Sequence, residues 1–260
     1  MNALVQDGTA RFTPNPRHPS GCERFIAKLT VASALPAEDQ EALRDLCANV
    51  RTIPARGDII GEGERPDHVH IVLDGWAARY KILHDGSRQI TAFLIPGDFC
   101  DLHVTILAHM DHGILALTRC RVAYVPHKLM EELPLDRPRL GRALWRATLV
   151  DEAVLRSWIV NLGRRDALER ISHLFCELHA RLNLVGLVHD QRFYLPLTQD
   201  VIADATGLTS VHVNRVLGKL RKDGLITLSS GQLTILDVER LKELAGFDPN
   251  YLHRERLRQA

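Results

Sequence analysis

Residues 197–222, LTQDVIADATGLTSVHVNRVLGKLRK, decide the fold of the C-terminal part of this 260-residue chain. Thr198 can accept a hydrogen bond from the first turn of a helix, and Gly207 permits the positive φ of a sharp turn after that helix. A second helix is predicted from about Thr209 to Lys222. Two helices joined by a glycine-containing turn form a helix-turn-helix.

The second helix of this pair has an apolar face and a basic face. The inward stripe is Val213, Val216, Leu217 and Leu220. At 100° per residue, the opposite face carries Val211, Arg215, Gly218 and Lys222. No acidic residue occurs on this helix before Asp223. A basic second helix that faces outward is typical of proteins that read the major groove of DNA.

Candidate DNA contacts follow from this arrangement. Phosphate contacts are expected at the start of the first helix, from Thr198 and Gln199. Lys219 and Lys222 are expected to add positive charge next to the DNA. The candidates for contacts to base edges are Ser210, Val211, His212, Asn214 and Arg215.

Two short apolar segments follow the second helix. Segments 225–228 and 232–236 flank Ser229-Ser230-Gly231, a composition that is typical of a tight hairpin turn. We interpret a β-hairpin directly after a helix-turn-helix as the wing of a winged helix-turn-helix domain. We therefore predict a winged helix-turn-helix domain over residues 166–260.

The sequence N-terminal to this domain shows the regular spacing of turns that is typical of an antiparallel β-structure. Gly75, Gly86 and Gly97 recur every 11 residues between short apolar segments, where each can supply the positive φ of a turn. This spacing predicts an antiparallel β-barrel or β-roll over residues 28–135, and residues 1–27 are expected to be a loose extension. The predicted strands are 68–73, 76–82 and 89–95.

A helical period begins near Pro138 and defines a central segment, residues 136–165. One apolar stripe at heptad spacing predicts a seam for a second subunit: Leu144, Leu155, Trp158 and Leu162. A second stripe has the same spacing, so one face of the helix is expected to meet the β-roll and the other a second subunit: Ala143, Ala147, Val150 and Val154. A long helix packed within one chain stays open as the alternative. Asp166 can cap a following helix, which makes residues 163–166 the expected hinge.

Composition narrows the class of protein. The formal net charge is only +1, so affinity for DNA must come from a local patch. No apolar run approaches the ~20 residues of a membrane helix, and the N-terminus lacks the apolar core of a signal peptide. The five cysteines include no CxxC pair, which argues against a disulfide framework or a zinc knuckle. We expect a cytoplasmic protein that has no membrane partner and no enzyme activity.

The order β-roll, long helix, helix-turn-helix and wing resembles the Crp/Fnr superfamily of bacterial regulators. The similarity spans about residues 29–245 and is most specific over 197–215; in the sensor it rests on Gly75, Gly86 and the Gly97-Asp98-Phe99 turn. It implies an α+β fold with a cyclic-nucleotide-binding-like jelly roll, a long dimerisation helix and a winged helix-turn-helix. It also implies a homodimer, a palindromic site on double-stranded DNA, RNA polymerase as a partner, and a sensor ligand that varies by branch.

The resemblance also implies a role for Arg215. Family members use the matching arginine to read a guanine, and a guanidinium can bond both major-groove acceptors of that base. The best-studied branches carry a glutamate four residues earlier, whereas this chain has Val211. An apolar side chain there can touch a thymine methyl group, so the half-site is expected to differ from theirs.

Departures from the family pattern bear on the sensor ligand. Cyclic-AMP-binding members have Gly-Glu after the Gly-Asp-Phe turn and Arg-Ser or Arg-Thr further on. This chain has Cys100-Asp101 and, by position, Met110-Asp111. A carboxylate at the phosphate site repels the ligand, so a cyclic nucleotide is not expected. Cys22 stands alone near the N-terminus, so a four-cysteine iron–sulfur cluster is not expected either.

Other sensor chemistries stay open, and no cofactor is assigned. Cys176 is either an oxidation sensor or a buried structural thiol. Several histidines either ligate haem iron or another metal or are ordinary surface residues: His68, His70, His103, His109 and His112. Two competing functions are a cupin-like metalloenzyme that uses His68, His70 and His103, and a regulatory module that has lost specific DNA readout.

Overall fold

The computed structural model describes residues 20–31, 34–102, 106 and 108–254. Its N-terminal part is a β-roll with the strands β1 (Val50–Ile53), β2 (Asp58–Ile60), β3 (His68–Asp74), β4 (Ala77–Ile82), β5 (Arg88–Leu94), β6 (Gly113–Ala116) and β7 (Cys120–Pro126). They form two antiparallel sheets, in the orders β1-β7-β3 and β2-β6-β4-β5. The antiparallel β-roll predicted from the 11-residue spacing is confirmed.

The three spaced glycines end strands or begin turns, as expected. Gly75, Gly86 and Gly97 have φ angles of 84°, 83° and 92°, a region that side chains with a Cβ rarely adopt. Gly75 also approaches the backbone of Arg119 so closely that an added Cβ would lie 2.4 Å from its carbonyl oxygen. The roll therefore depends on glycine at this position for two separate reasons.

Four helices accompany the roll: α1 (Gly21–Thr30), α2 (Ala37–Leu46), α3 (His127–Asp136) and α4 (Pro138–Arg164). The expectation of a loose segment up to residue 27 is wrong from Gly21 onward. The Ser20 hydroxyl accepts a hydrogen bond from the Glu23 backbone N–H and caps α1, and Phe25 and Leu29 of this helix are buried. Apolar burial therefore holds α1 in place, although prolines dominate the residues before it. Residues 1–19 lie outside the described part of the chain.

The C-terminal part contains α5 (Ala167–Leu184), β8 (Arg192–Tyr194), α6 (Gln199–Thr206), α7 (Ser210–Lys222), β9 (Ile226–Ser229), β10 (Gln232–Ile235), α8 (Val238–Ala245) and a 3-10 turn (Pro249–Leu252). Its strands form one antiparallel sheet, in the order β8-β10-β9. The Asp166 side chain caps α5, and Glu169 returns a bond to the Asp166 backbone, which completes a capping box. The predicted winged helix-turn-helix and its capped leading helix are confirmed.

One face of α4 is buried in the chain's own core, and the other is exposed. Leu144 is 4% exposed and Trp158 is 6% exposed, so the prediction that these two face a second subunit is wrong. The reason is that heptad spacing does not show whether a stripe faces a partner or the chain's own core. The second predicted stripe also packs inward, since Val154 is 5% exposed and Ala143 and Ala147 pack against the core. Leu155 lies at the edge of the exposed face, and Leu162 is partly buried near Gly207. The most exposed apolar side chains of α4 are Trp145, Leu149, Ile159 and Val160.

No helix within the described ranges is long and apolar enough to span a membrane. Even α4, with 27 residues, is interrupted by charged side chains on its exposed face.

Candidate nucleic-acid interface

A shared apolar core holds α6 and α7. Thr198 Oγ1 accepts from the Val201 backbone N–H at 3.2 Å, and Thr209 Oγ1 accepts from the His212 backbone N–H at 3.2 Å. Each helix therefore begins at a threonine cap. Gly207, with φ of 63°, ends α6 in the left-handed region. The buried residues of the pair are Ile202, Ala203, Ala205, Thr206, Val213, Val216, Leu217 and Leu220.

Side-chain hydrogen bonds tie the N-terminal ends of the two helices together. Asn214 Nδ2 donates to Gln199 Oε1 at 3.1 Å, and the Ser210 hydroxyl donates to the Asp200 carboxylate. Two of the residues expected to contact DNA, Gln199 and Asn214, therefore position each other, and a third, Ser210, is positioned by Asp200. Asp200 was not among the predicted site residues. Its contact with Ser210 spans two helices, so neither helix alone indicates it.

The outward face of α7 is exposed and basic. Val211 is 82% exposed, and Arg215 and Lys222 are exposed on the same face. In the part of the chain that the structure describes, neither of these two cations has a carboxylate partner. Lys219, in contrast, lies 3.0 Å from a carboxylate oxygen of Asp223. A guanidinium without an intramolecular partner is available for a bidentate contact.

The wing follows α7 directly. β9 and β10 pair with Gln232 opposite Ser229. The turn residues Ser230 and Gly231 have φ angles of 50° and 71°, as a two-residue type I′ hairpin requires. Sequence analysis missed β8, which pairs with the other side of β10. A short exposed–buried–exposed alternation is the local pattern that indicates it.

The positions of the family's cyclic-nucleotide cassette are closed in this chain. The Asp101 carboxylate accepts the His70 backbone N–H at 2.7 Å and also bonds the His70 ring. Arg79 donates to the Cys100 carbonyl oxygen at 2.9 Å and forms an ion pair with Asp151 of α4. Three of the four residues at the cassette positions, Cys100, Asp101 and Met110, are at most 2% exposed, whereas the fourth, Asp111, is exposed. The chain's own side chains therefore fill this region.

Within the described part of the chain, the histidines and cysteines considered as sensor residues do not form a common metal site. Among the described residues, no group of three or more His, Cys, Asp or Glu side chains could hold a metal ion. His70 is engaged with Asp101, and His103 lies outside the described residues. Burial raises the pKa of the Cys176 thiol to about 12, which favours the structural interpretation of this cysteine. Nothing in this geometry supports the cupin-like alternative.

Among the described residues, two ionic contacts join the roll to the helix-turn-helix part. Arg88 of β5 lies 2.7 Å from Asp204 of α6. Asp98 lies 2.9 Å from Arg181 of α5 and also pairs with Lys28 of α1. Burial raises the pKa of Asp98, but the two adjacent cations outweigh burial and lower it overall. These contacts link residues 116 and 83 positions apart, so no local pattern predicts them.

Two family models match the chain, one in each of these parts. The cyclic nucleotide-binding domain model matches residues 50–136. The Crp-like helix-turn-helix domain model matches residues 169–244, which include all of α6, α7 and the wing.

Similar proteins agree with these matches. The chain is 32% identical to the transcriptional activator protein FnrL of Cereibacter sphaeroides, over 76% of this chain and 81% of that protein. It is 30% identical to the nitrogen fixation regulation protein FixK of Bradyrhizobium diazoefficiens, over 93% of this chain and 99% of that protein. The structure of FixK2 from Bradyrhizobium japonicum matches with a TM-score of 0.69 at 27% identity, over 75% of this chain and 96% of that one. The chain therefore belongs to the Crp/Fnr family of DNA-binding transcription regulators.

Proposed function

We propose that the chain acts in the cytoplasm as a homodimer that binds an inverted-repeat DNA site with its two copies of α7. The observation that carries the proposal is the exposed basic face of α7, where Arg215 and Lys222 have no carboxylate partner among the described residues. Two recognition helices related by a two-fold axis reach half-sites about 34 Å apart.

Specific readout is assigned to the N-terminal half of α7. Arg215 contacts guanine, because its guanidinium matches the paired major-groove acceptors of that base. Val211, at 82% exposure, contacts a thymine methyl group. Ser210, His212 and Asn214 border these two residues and complete the base-contacting set.

Contacts to the phosphate backbone surround this centre. Thr198 and Gln199 contribute from the start of α6, and Lys219 and Lys222 contribute from the last turns of α7. Such contacts set the register of the protein on the duplex and make its affinity depend on salt.

The dimer interface is assigned to the exposed face of α4. Trp145 is 69% exposed, Leu149 47% and Ile159 70%, at intervals that bring them to one side of the helix. Leu155 and Leu162 lie at the border of this face. Large apolar side chains exposed on one stripe of a 27-residue helix are buried when two copies pair.

The sensor controls the orientation of the helix-turn-helix, and cyclic nucleotides are not its signal. This proposal is supported by Asp101 and Met110, which are buried at the positions where the family's cyclic-nucleotide binders place the residues for the ribose and the phosphate, and neither side chain supplies a cation for a phosphate. The relative FnrL is named a transcriptional activator. By analogy with it, the DNA-bound dimer contacts RNA polymerase.

The test compares Arg215→Ala with Lys222→Ala on the DNA sequence that the wild-type protein selects. Arg215→Ala should cost about 1–3 kcal/mol on that sequence and abolish the preference for guanine at one symmetric pair of positions. Lys222→Ala should weaken binding to all sequences alike and lower the slope of log affinity against log salt.

Fluorescence anisotropy on duplexes that differ only at the guanine separates these effects. The assignment of α7 as the reading helix fails if Arg215→Ala retains the wild-type preference for guanine.

A further inference from the structure

A cleft of about 150 Å³ lies where α1, the β-roll, α4 and α5 meet. Its walls include Leu29 of α1, Phe99 of the roll, Val150 of α4 and Leu184 of α5. Residues of the last described segment, among them Leu252, close one side. A molecule in this cleft therefore lies between the sensor part and the DNA-binding part.

The side chains that line the cleft carry an excess of positive charge. Five basic residues lie there against two carboxylates: Lys28, Arg79, Arg146, Arg181 and Arg254 against Asp98 and Asp151. Both carboxylates are already engaged, Asp98 with Lys28 and Arg181, and Asp151 with Arg79. The cleft therefore has no carboxylate left for its remaining two cations.

Arg146 is the cation best placed for a ligand. It is half-buried on α4, and its guanidinium donates to the carbonyl oxygen of His253. In the described part of the chain, neither Arg146 nor Arg254 contacts a carboxylate. Burial lowers the pKa of Arg146, since no nearby anion compensates the loss of water. An anion beside a partly desolvated guanidinium forms a strong, charge-assisted hydrogen bond.

We propose that this cleft binds a small organic carboxylate, with its charged end on Arg146 and its apolar body between α4 and α5. The size of the body follows from the volume, because a protein cavity of about 150 Å³ accepts a six-membered hydrocarbon ring. The ligand class is thus a monocarboxylate with about six to eight carbons.

The site suggests how such a ligand acts on DNA affinity. The cleft is bordered by the Asp98–Arg181 pair, which joins the roll to α5. A ligand that binds one orientation of α5 better than another shifts the protein toward that orientation. This consequence for DNA affinity rests on the proposed function, whereas the binding site itself does not.

Calorimetry on the full chain tests the site with hexanoate, octanoate and benzoate as probes. We expect at least one of the three to bind, and its neutral amide to bind at least ten-fold more weakly. Arg146→Gln should weaken carboxylate binding at least ten-fold. The matched control Arg142→Gln, an exposed arginine one turn earlier on α4, should leave binding unchanged. Ala147→Phe should abolish carboxylate binding, because the larger side chain fills the cleft. If Arg146→Gln does not fold, the result for Ala147→Phe tests whether the carboxylate binds in this cleft.

Three results overturn the proposal: no binding of any probe at millimolar concentration, equal binding of acids and amides, or binding that survives both Arg146→Gln and Ala147→Phe. A parallel anisotropy titration on the selected DNA, with and without the probe, tests the regulatory consequence. Loss of all DNA binding by a protein that still binds carboxylate contradicts the proposed function and leaves the site intact. DNA affinity that a bound probe leaves unchanged shows that the site does not regulate binding.

Discussion

The exposed face of α4 gives the sharpest quantitative prediction. Ile159 is 70% exposed in the single chain, so it contributes little to the fold of that chain. Full burial of an isoleucine side chain contributes about 1.5–3 kcal/mol, so covering this exposed fraction in a dimer contributes about 1–2 kcal/mol per copy. Two copies meet across a two-fold axis, which makes the total about 2–4 kcal/mol.

Ile159→Asp removes this contribution and places a carboxylate in the interface. The dissociation constant of the dimer should rise by at least roughly 30-fold to 1000-fold, before the cost of burying the charge is added. Sedimentation velocity over a series of protein concentrations measures the change. Circular dichroism should show an unchanged helical fold, because the substituted side chain lies outside the core.

Ile82→Asp is the matched control. Ile82 is 52% exposed at the end of β4, away from α4, so the same substitution there should leave the dimer intact. Trp158→Asp should instead unfold the chain, because Trp158 is buried and donates its indole N–H to Glu177. An Ile159→Asp protein with the wild-type dissociation constant would refute the assignment of this face.

Three further predictions concern the sensor and the turn. Calorimetry with cyclic AMP or cyclic GMP should give no heat at millimolar ligand, because Asp101 and Met110 close the cassette region; micromolar binding of either nucleotide would contradict this. Gly207→Ala should destabilise the fold by about 1–2 kcal/mol in urea denaturation, because its φ is 63°. Gly218→Ala should instead stabilise it by about 0.5–1 kcal/mol, because Gly218 lies within α7 and an added Cβ would meet no atom within 4 Å. The folded-state pKa of Asp98 is lowered, so its stabilisation is present above the unfolded-state pKa of about 4 and is lost as pH falls through the folded-state pKa. The difference in stability between the wild type and Asp98→Asn should therefore shrink below about pH 4, and a difference that is independent of pH would show that the ion pairs contribute nothing.

Local patterns explain why the DNA-binding part was predictable. Thr198, Thr209 and Asp166 each cap a helix through contacts within three residues, and Gly207 sets its turn through its own φ. Such features depend on neighbours in the sequence, so they can be read from the sequence alone. The strands of the roll were predictable for the same reason, because glycines that form turns recur every 11 residues between them.

The orientation of α4 was not predictable in the same way. Leu144 and Trp158 have the heptad spacing of a subunit seam, yet they pack in the chain's own core. Both sides of this helix are apolar because one covers the core and the other remains exposed on the single chain, where we place the partner. The exposed apolar residues Trp145, Leu149 and Ile159 belong to neither predicted heptad stripe, so the spacing in the sequence did not indicate this face.

The ionic contacts of the sensor depend on the tertiary structure alone. Arg79 meets Asp151 across 72 residues, and Asp98 meets Arg181 across 83. In the sequence alone, nothing distinguishes each of these four residues from an ordinary charged residue at the protein surface. Their pairing appears only when the roll, α4 and α5 come together, so the cleft beside them was not foreseen.

The central claim is that two copies of α7 read a symmetric DNA site, and in vitro selection by the full-length protein tests it most directly. Selection from random duplexes should enrich an inverted repeat whose half-sites are centred about 10–10.5 base pairs apart, with an invariant guanine in each half. Enrichment of a single asymmetric sequence would contradict the two-fold arrangement. Recovery of no common sequence, by a protein that still binds duplex DNA, would contradict specific reading by α7.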